Sequence, residues 1–314
     1  MGFIYAIISA IFWGIKPSLV TKIKAKTIHT QLGMSLGVLI VGTIVFLATL
    51  QTSLNDLSGP NGWKIIIFSA LSGMVWAIGQ YFQYISYFLL STSLAFGVGT
   101  AFTLVFNALF SVIVFHDWQT SYQLSMGFSG IFVIVIGTFL VSYRQNRKEE
   151  NKKDLIVGFI MSILAALFFM LYSNLPRFAT YNTNISSFST IFPHAIGTFI
   201  GSIIVVLIIY FGQELKHHQH PDFHLTPLFD KKLFYSIFPG FLSSGANFFL
   251  LLANPIIGSA VGYTLSQMAV VISTILSLFV LKEYKLHTKR ENVLMITGVV
   301  VILCGAILIG FSKA

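Results

Sequence analysis

Charge is the scarcest thing in this 314-residue chain: Asp, Glu, Lys and Arg make up only 9% of it, where soluble domains carry about 25%. That shortage excludes an ordinary soluble globular domain. Long polar stretches are scarce too. Most apolar runs are separated by fewer than about twelve residues, too few for an independent soluble domain, so function must reside in the apolar part. The single cysteine, Cys304, excludes an intramolecular disulfide. Chemical motifs are also missing. There is no phosphate-cradling glycine loop, no His-Glu-x-x-His helix, and no Ser, His and Asp at a common membrane depth. An intramembrane enzyme would need such a set, so the chain is not read as an enzyme. No resident cofactor or metal is expected.

What the chain has is apolar length. It is 55% hydrophobic, with a mean hydropathy of +0.83. A bilayer span needs about 20 apolar residues, and its backbone polar groups must pair within the span, which selects helix. Ten runs qualify, at residues 2–20, 32–50, 63–90, 94–115, 122–143, 155–175, 188–212, 233–253, 256–281 and 293–311. They predict an all-α integral membrane protein with ten transmembrane helices. The first run lacks a charged leading segment and a cleavage site, and reads as a retained helix.

The net charge of +9 could suggest a nucleic-acid partner, but its distribution argues against one. Fifteen Lys and Arg lie in the loops after odd-numbered spans and three on the opposite side, leaving Lys16 within a span. By the positive-inside rule the odd loops are cytoplasmic and both termini external. The basicity is thus a topology signal, and the expectation is a multi-pass cell-membrane protein, of the bacterial cytoplasmic membrane if the resemblance described below holds. Its partners are the lipid bilayer and a small-molecule substrate. The sequence carries no sign of oligomeric state.

The basic linker at residues 144–154 separates a first five-helix repeat, 1–143, from a second, 155–314. Because five is odd, the two halves insert with opposite orientation, the inverted-repeat plan of many secondary transporters. Echoes support it. Ser129-Gly130 with Gly137 recurs as Thr297-Gly298 with Gly305; Gly33 and Gly37 correspond to Pro193 and Gly197; Trp13 with Pro17 is matched by Tyr172 with Pro176.

One stretch organises the candidate site. Within residues 72–80, Gly73, Trp76 and Gln80 stand at i, i+3 and i+7, on one helix face. Gly240, Ser243 and Asn247 repeat that spacing. A carboxamide in hydrocarbon costs a few kcal/mol unless hydrogen-bonded, so Gln80 and Asn247 must face other helices or a cavity. Either could simply tie its helix to a neighbour; the matched pair points to a cavity lined from both repeats. The fourth and ninth runs align through His116-Asp117-Trp118 and Lys282-Glu283-Tyr284. Thr100 then meets Ser266 and Asn107 meets Ser273, giving each helix a polar stripe. Tyr263 and Gln267 stand four apart beside Ser266.

Charged and titratable groups are few. Lys16, followed by Pro17, lies about one turn from its helix end, where it can snorkel to the headgroups or line a cavity. No Asp or Glu occurs inside any span, so a carboxylate proton relay is not expected. Lys16 and His194 remain as candidates for coupling or gating, and His29 lies at the mouth of the second helix. His217, His218, His220 and His224 share a loop with Pro221 and Pro227 but show no ligand spacing.

Several of these motifs carry a resemblance. Phe12-Trp13-Gly14, the Leu71-Ser72-Gly73 to Trp76-Ala77 to Gly79-Gln80 block, Pro239-Gly240 to Asn247, Thr264-Leu265-Ser266-Gln267 and the acidic ends of the fourth and ninth helices resemble the glucose/ribose uptake transporters of the drug/metabolite transporter superfamily. The similarity covers essentially the whole chain. It implies a ten-helix bundle whose central cavity carries a monosaccharide across the cytoplasmic membrane by alternating access. Trp13, Thr100, Thr103 and Asn107 join the implied substrate-binding set. Departures bear on the substrate: Gly97 stands where the family has Pro, Thr103 where it has Gln, and Ser243 where it has Trp. Loss of that Trp, with 31 Phe in the chain, keeps open an alternative within the superfamily, an exporter of amphipathic compounds.

Overall fold

The computed structural model describes residues 1–116, 118–143, 152–180, 185–217, 230–257, 265–266, 268–285 and 288–311. Among them the protein is helical and without strands. The helices are α1 (Gly2–Ile23), α2 (Thr27–Ala48), α3 (Leu50–Ser58), α4 (Gly62–Leu89), α5 (Thr92–Phe115), α6 (Ser121–Ser142), α7 (Lys152–Asn174), α8 (Arg177–Thr180), α9 (Ile191–His217), α10 (Lys231–Ile257), α11 (Ala269–Phe279) and α12 (Lys289–Phe311). Short 3-10 turns at Ser187–Thr190 and Glu283–Lys285 precede α9 and α12.

Nine helical stretches among the described residues are long and apolar enough to cross a membrane, with α11 a shorter apolar helix. Such helices, their apolar side chains exposed along the outer faces, make this an all-α integral membrane protein. On α6, for example, Phe128, Phe132 and Phe139 are exposed, as lipid contact requires. Two details differ from the sequence expectation. Helix α10 runs to Ile257, past the expected end at 253, and the amphipathic α3 caps the second span. The basic linker through residue 151 and the histidine cluster from 218 lie outside the described residues, as does Asp117.

Two compact units partition the chain. The first takes Met1–Lys22, Phe82–Met170 and Gly245–Ala314; the second takes Ile23–Tyr81 and Leu171–Ser244. In the first unit, α6 and α12 cross at two glycine pairs. A Cβ at Gly130 would lie 2.7 Å from the Gly305 carbonyl oxygen, and one at Gly305 would lie 2.7 Å from that of Gly130. Gly137 and Gly298 are related in the same reciprocal way, at 2.8 and 2.7 Å. Small residues let helix backbones approach closely, where dispersion and not the hydrophobic effect must hold membrane helices together.

The helix starts in this unit carry paired devices. Thr120 and Gln123 form a capping box at α6, and Thr288 with Glu291 exchanges the same bonds at α12. His116 and Lys282 both take a left-handed backbone, with φ of 52° and 60°. Glu283, 5% exposed, accepts from the Thr92 amide (2.7 Å), the Ser93 amide (3.2 Å) and the Ser93 hydroxyl (2.6 Å). It thereby satisfies orphan donors of α5 and places a negative charge at the positive end of the helix dipole.

The second unit uses glycine in the same way. A Cβ at Gly37 of α2 would strike the Ile237 carbonyl of α10, and one at Gly240 the Met34 backbone of α2. Helices α4 and α9 meet likewise, with Gly73 against the backbone of His194 and Thr198 and Gly197 against that of Ala70. Asp56 closes one end of the unit by accepting from the Ser189 hydroxyl (2.6 Å) and the Ser186 amide (3.1 Å).

Candidate substrate-binding site

The close approach of α4 and α9 at Gly73 and Gly197 brings together polar side chains that lie more than a hundred residues apart. Ser72 donates to the Tyr172 carbonyl at 2.7 Å, and its oxygen lies 3.1 Å from His194 Nδ1. A hydroxyl has one hydrogen, and this one is committed to a carbonyl. Nδ1 must therefore be the donor toward Ser72, and in the neutral ring Nε2 is then the acceptor. Thr198 Oγ1, one turn along α9, stands 3.4 Å from Nε2. The imidazole is thus oriented from both nitrogens.

Aromatic rings surround the same histidine. Trp76 meets it edge-on, with ring centroids 6.5 Å apart and planes at 74°, and Tyr172 lies 5.7 Å away at 43°. The i, i+3, i+7 spacing accounts for the Trp76 position, because Gly73 clears the face on which Trp76 and Gln80 stand. Gln80 is 1% exposed, and its Oε1 has no donor among the described residues. Chemically, the second unit presents flat aromatic faces beside an amide and an imidazole. Such a mixture suits a ligand with C–H faces and hydroxyl edges.

Sequence reasoning missed two members of this cluster. Gln31 of α2 donates from Nε2 to the Ala77 carbonyl at 2.9 Å and to Ser202 Oγ at 3.1 Å. A glutamine in an apolar helix was the available signal, obscured because residue 31 falls just before the expected span at 32–50. Tyr172 appeared only as an echo of Trp13.

The remaining candidates belong to the first unit. Asn247 of α10 and Trp13 of α1 are half-buried, and Ser266 is fully buried. On α5, Thr100 is half-buried. Thr103 donates to the Gly99 carbonyl (2.7 Å) and Asn107 Nδ2 to the Thr103 carbonyl (3.0 Å), so both engage their own helix. Lys16 is 7% exposed, between Gly14, which packs against Ala269 and Ile272, and Ser18, which pairs with Ser277 at 3.3 Å. Tyr263 and Gln267 lie outside the described residues. Gln80 falls in one unit and Asn247 in the other. Among the described residues no group of three His, Cys, Asp or Glu could hold a metal ion.

Comparison with known proteins connects this arrangement to transport. The glucose uptake protein GlcU of Bacillus subtilis is 29% identical over all of this chain and 99% of its own length. A Listeria monocytogenes protein named for sugar uptake is 32% identical over the whole of both chains. A crystal structure only 14% identical to this chain superposes with a TM-score of 0.58 over 96% of this chain and 95% of that one, which shows the fold alone. Residues 4–312 match the sugar transport protein family, and a match over nearly the entire length means that the chain belongs to that family.

Proposed function

We propose that the protein is a secondary transporter that carries a monosaccharide of the glucose or ribose type across the cell membrane by alternating access. The observation that carries this reading is the cluster of Trp76, Tyr172, His194 and Gln80 in a chain whose relatives are named for sugar uptake. An aromatic ring stacks on the C–H face of a sugar while an amide and an imidazole meet its hydroxyls. Among the described residues this cluster includes no carboxylate for a hydrophobic cation to pair with.

Alternating access needs two related halves, and several features support an inverted repeat. Each half contributes to the two units in the same order, first, second, first. In the register of the sequence echoes, Gly130 and Gly137 correspond to Gly298 and Gly305, and their contacts are reciprocal. The Gly37–Gly240 and Gly197–Gly73 contacts are related by the same exchange of halves. Capping boxes and left-handed residues recur at matching positions. We assign residues 144–154 to the cytoplasm and both termini to the outside on the charge distribution.

Proteoliposomes holding the purified chain should take up labelled monosaccharides but not hydrophobic cations. Uptake of the cations alone would sink the sugar reading. Orientation has its own test: Lys148→Cys, in a Cys304→Ser background, should resist an impermeant maleimide in intact cells.

A further inference from the structure

Gln31 has an unusual hydrogen-bond balance for a residue only 1% exposed. Both hydrogens of its Nε2 are committed, one to the Ala77 carbonyl at 2.9 Å and one to Ser202 Oγ at 3.1 Å. These bonds decide which way the amide faces, because a turned amide would set its oxygen against the Ala77 carbonyl, acceptor to acceptor. Oε1 is thereby held away from both partners, and no donor reaches it among the described residues.

The second unit holds further unmet polar atoms. Gln80 Oε1 and Ser69 Oγ are buried and lack partners among the described residues. Ser69, Trp76 and Gln80 stand at i, i+7 and i+11 on one face of α4, the helix whose Ala77 carbonyl anchors Gln31. Buried polar atoms in native proteins are nearly always hydrogen-bonded. Two amide oxygens share this lack, and Gln31 is anchored to the carbonyl of Ala77, three residues before Gln80 on α4; each can accept from an O–H donor.

We propose that Gln31 is a specificity-determining residue of the sugar site: its Oε1 accepts a hydrogen bond from one hydroxyl of the monosaccharide, while the Gln80 amide takes a neighbouring hydroxyl. The role of Ala77 and Ser202 is to fix the acceptor in place before the sugar arrives, so that little ordering is required on binding. The proposal rests on the sugar-transport reading and adds the residue by which hydroxyl patterns are told apart.

Calorimetric titration of the full-length protein in detergent tests it. The probes are the tighter of D-glucose and D-ribose, together with its monodeoxy analogues. Gln31→Met should weaken the parent sugar about 10-fold or more, yet change one particular monodeoxy analogue by less than about twofold, since that analogue has already lost the partner hydroxyl. Gln80→Met should show the same coupling with a different hydroxyl. Equal weakening of every analogue, or no change in any, would overturn the proposal and leave Gln31 as a helix tie or a water ligand. Should Gln31→Met fail to fold, Gln31→Asn, which retracts the acceptor by one methylene, is read in the same way. Wild-type protein that binds every monodeoxy analogue within about twofold of the parent also overturns it. Wild-type protein that binds neither sugar sinks both readings, whereas tight sugar binding without coupling removes only this one.

Discussion

The α6–α12 crossing and the α4–α9 crossing are built with the same device and set in different surroundings. In both, glycine lets two backbones touch. Around the first, the atoms nearest the glycine positions belong to Ile134, Val141, Ile302, Ile309 and the backbone. Around the second stand Ser72, Trp76, His194 and Thr198, with hydrogen bonds running between helices and buried polar atoms left over. Close packing alone therefore does not mark a site. The α4–α9 cluster is proposed as one because polar chemistry is placed at a close crossing, where an unpaired group costs about 1–3 kcal/mol.

Substituting the glycines should break that comparison most sharply. Gly73→Ala places a methyl against the backbone of His194 and Thr198, and Gly130→Ala places one against the Gly305 carbonyl. Neither backbone can yield cheaply, so each should destabilise the protein by about 1–3 kcal/mol. In the fraction that folds, Gly73→Ala should also lose sugar affinity and Gly130→Ala should keep it. Melting temperature and affinity measured on the same preparations test this; equal affinity loss in both variants would erase the distinction between the crossings.

Glu283→Gln examines a polar contact away from the α4–α9 cluster. The amide replaces a charged acceptor of three hydrogen bonds at the start of α5, and stability should fall by about 1.5–3 kcal/mol. Affinity should not change. Exchange of labelled sugar that persists while proton-driven accumulation disappears would instead assign Glu283 to coupling.

Gln80→Ala sharpens the other side. Truncating an amide that meets a hydroxyl should weaken binding by about 1–3 kcal/mol, or roughly 5- to 150-fold, with little thermal destabilisation because Gln80 Oε1 makes no bond among the described residues. Unchanged affinity would remove Gln80 from the site.

The mildest effect is expected at His194. Asparagine can donate to Ser72 from the position of Nδ1 but has no atom at the position of Nε2, so His194→Asn should weaken binding by about 1 kcal/mol, or roughly fivefold. If uptake in this variant lost a pH dependence present in the wild type, His194 would be a proton carrier and its neutral tautomer only one of two working states.

Much of the architecture was legible before any coordinates. Apolar length specifies the membrane helices, because an unpaired backbone in lipid leaves helix as the available solution, and the 73–76–80 spacing specifies a shared face. The seven-residue glycine steps at 130 and 137 and at 298 and 305 were legible as a repeat echo, and the structure makes them the contact between α6 and α12. Tertiary structure alone decided which polar groups meet. Whether Ser72 reaches His194, which tautomer that histidine takes, and that both hydrogens of Gln31 are committed while its oxygen is not, depend on crossings between segments up to 171 residues apart. Helical periodicity stops at the face of one helix, and only packing selects the partner that face receives.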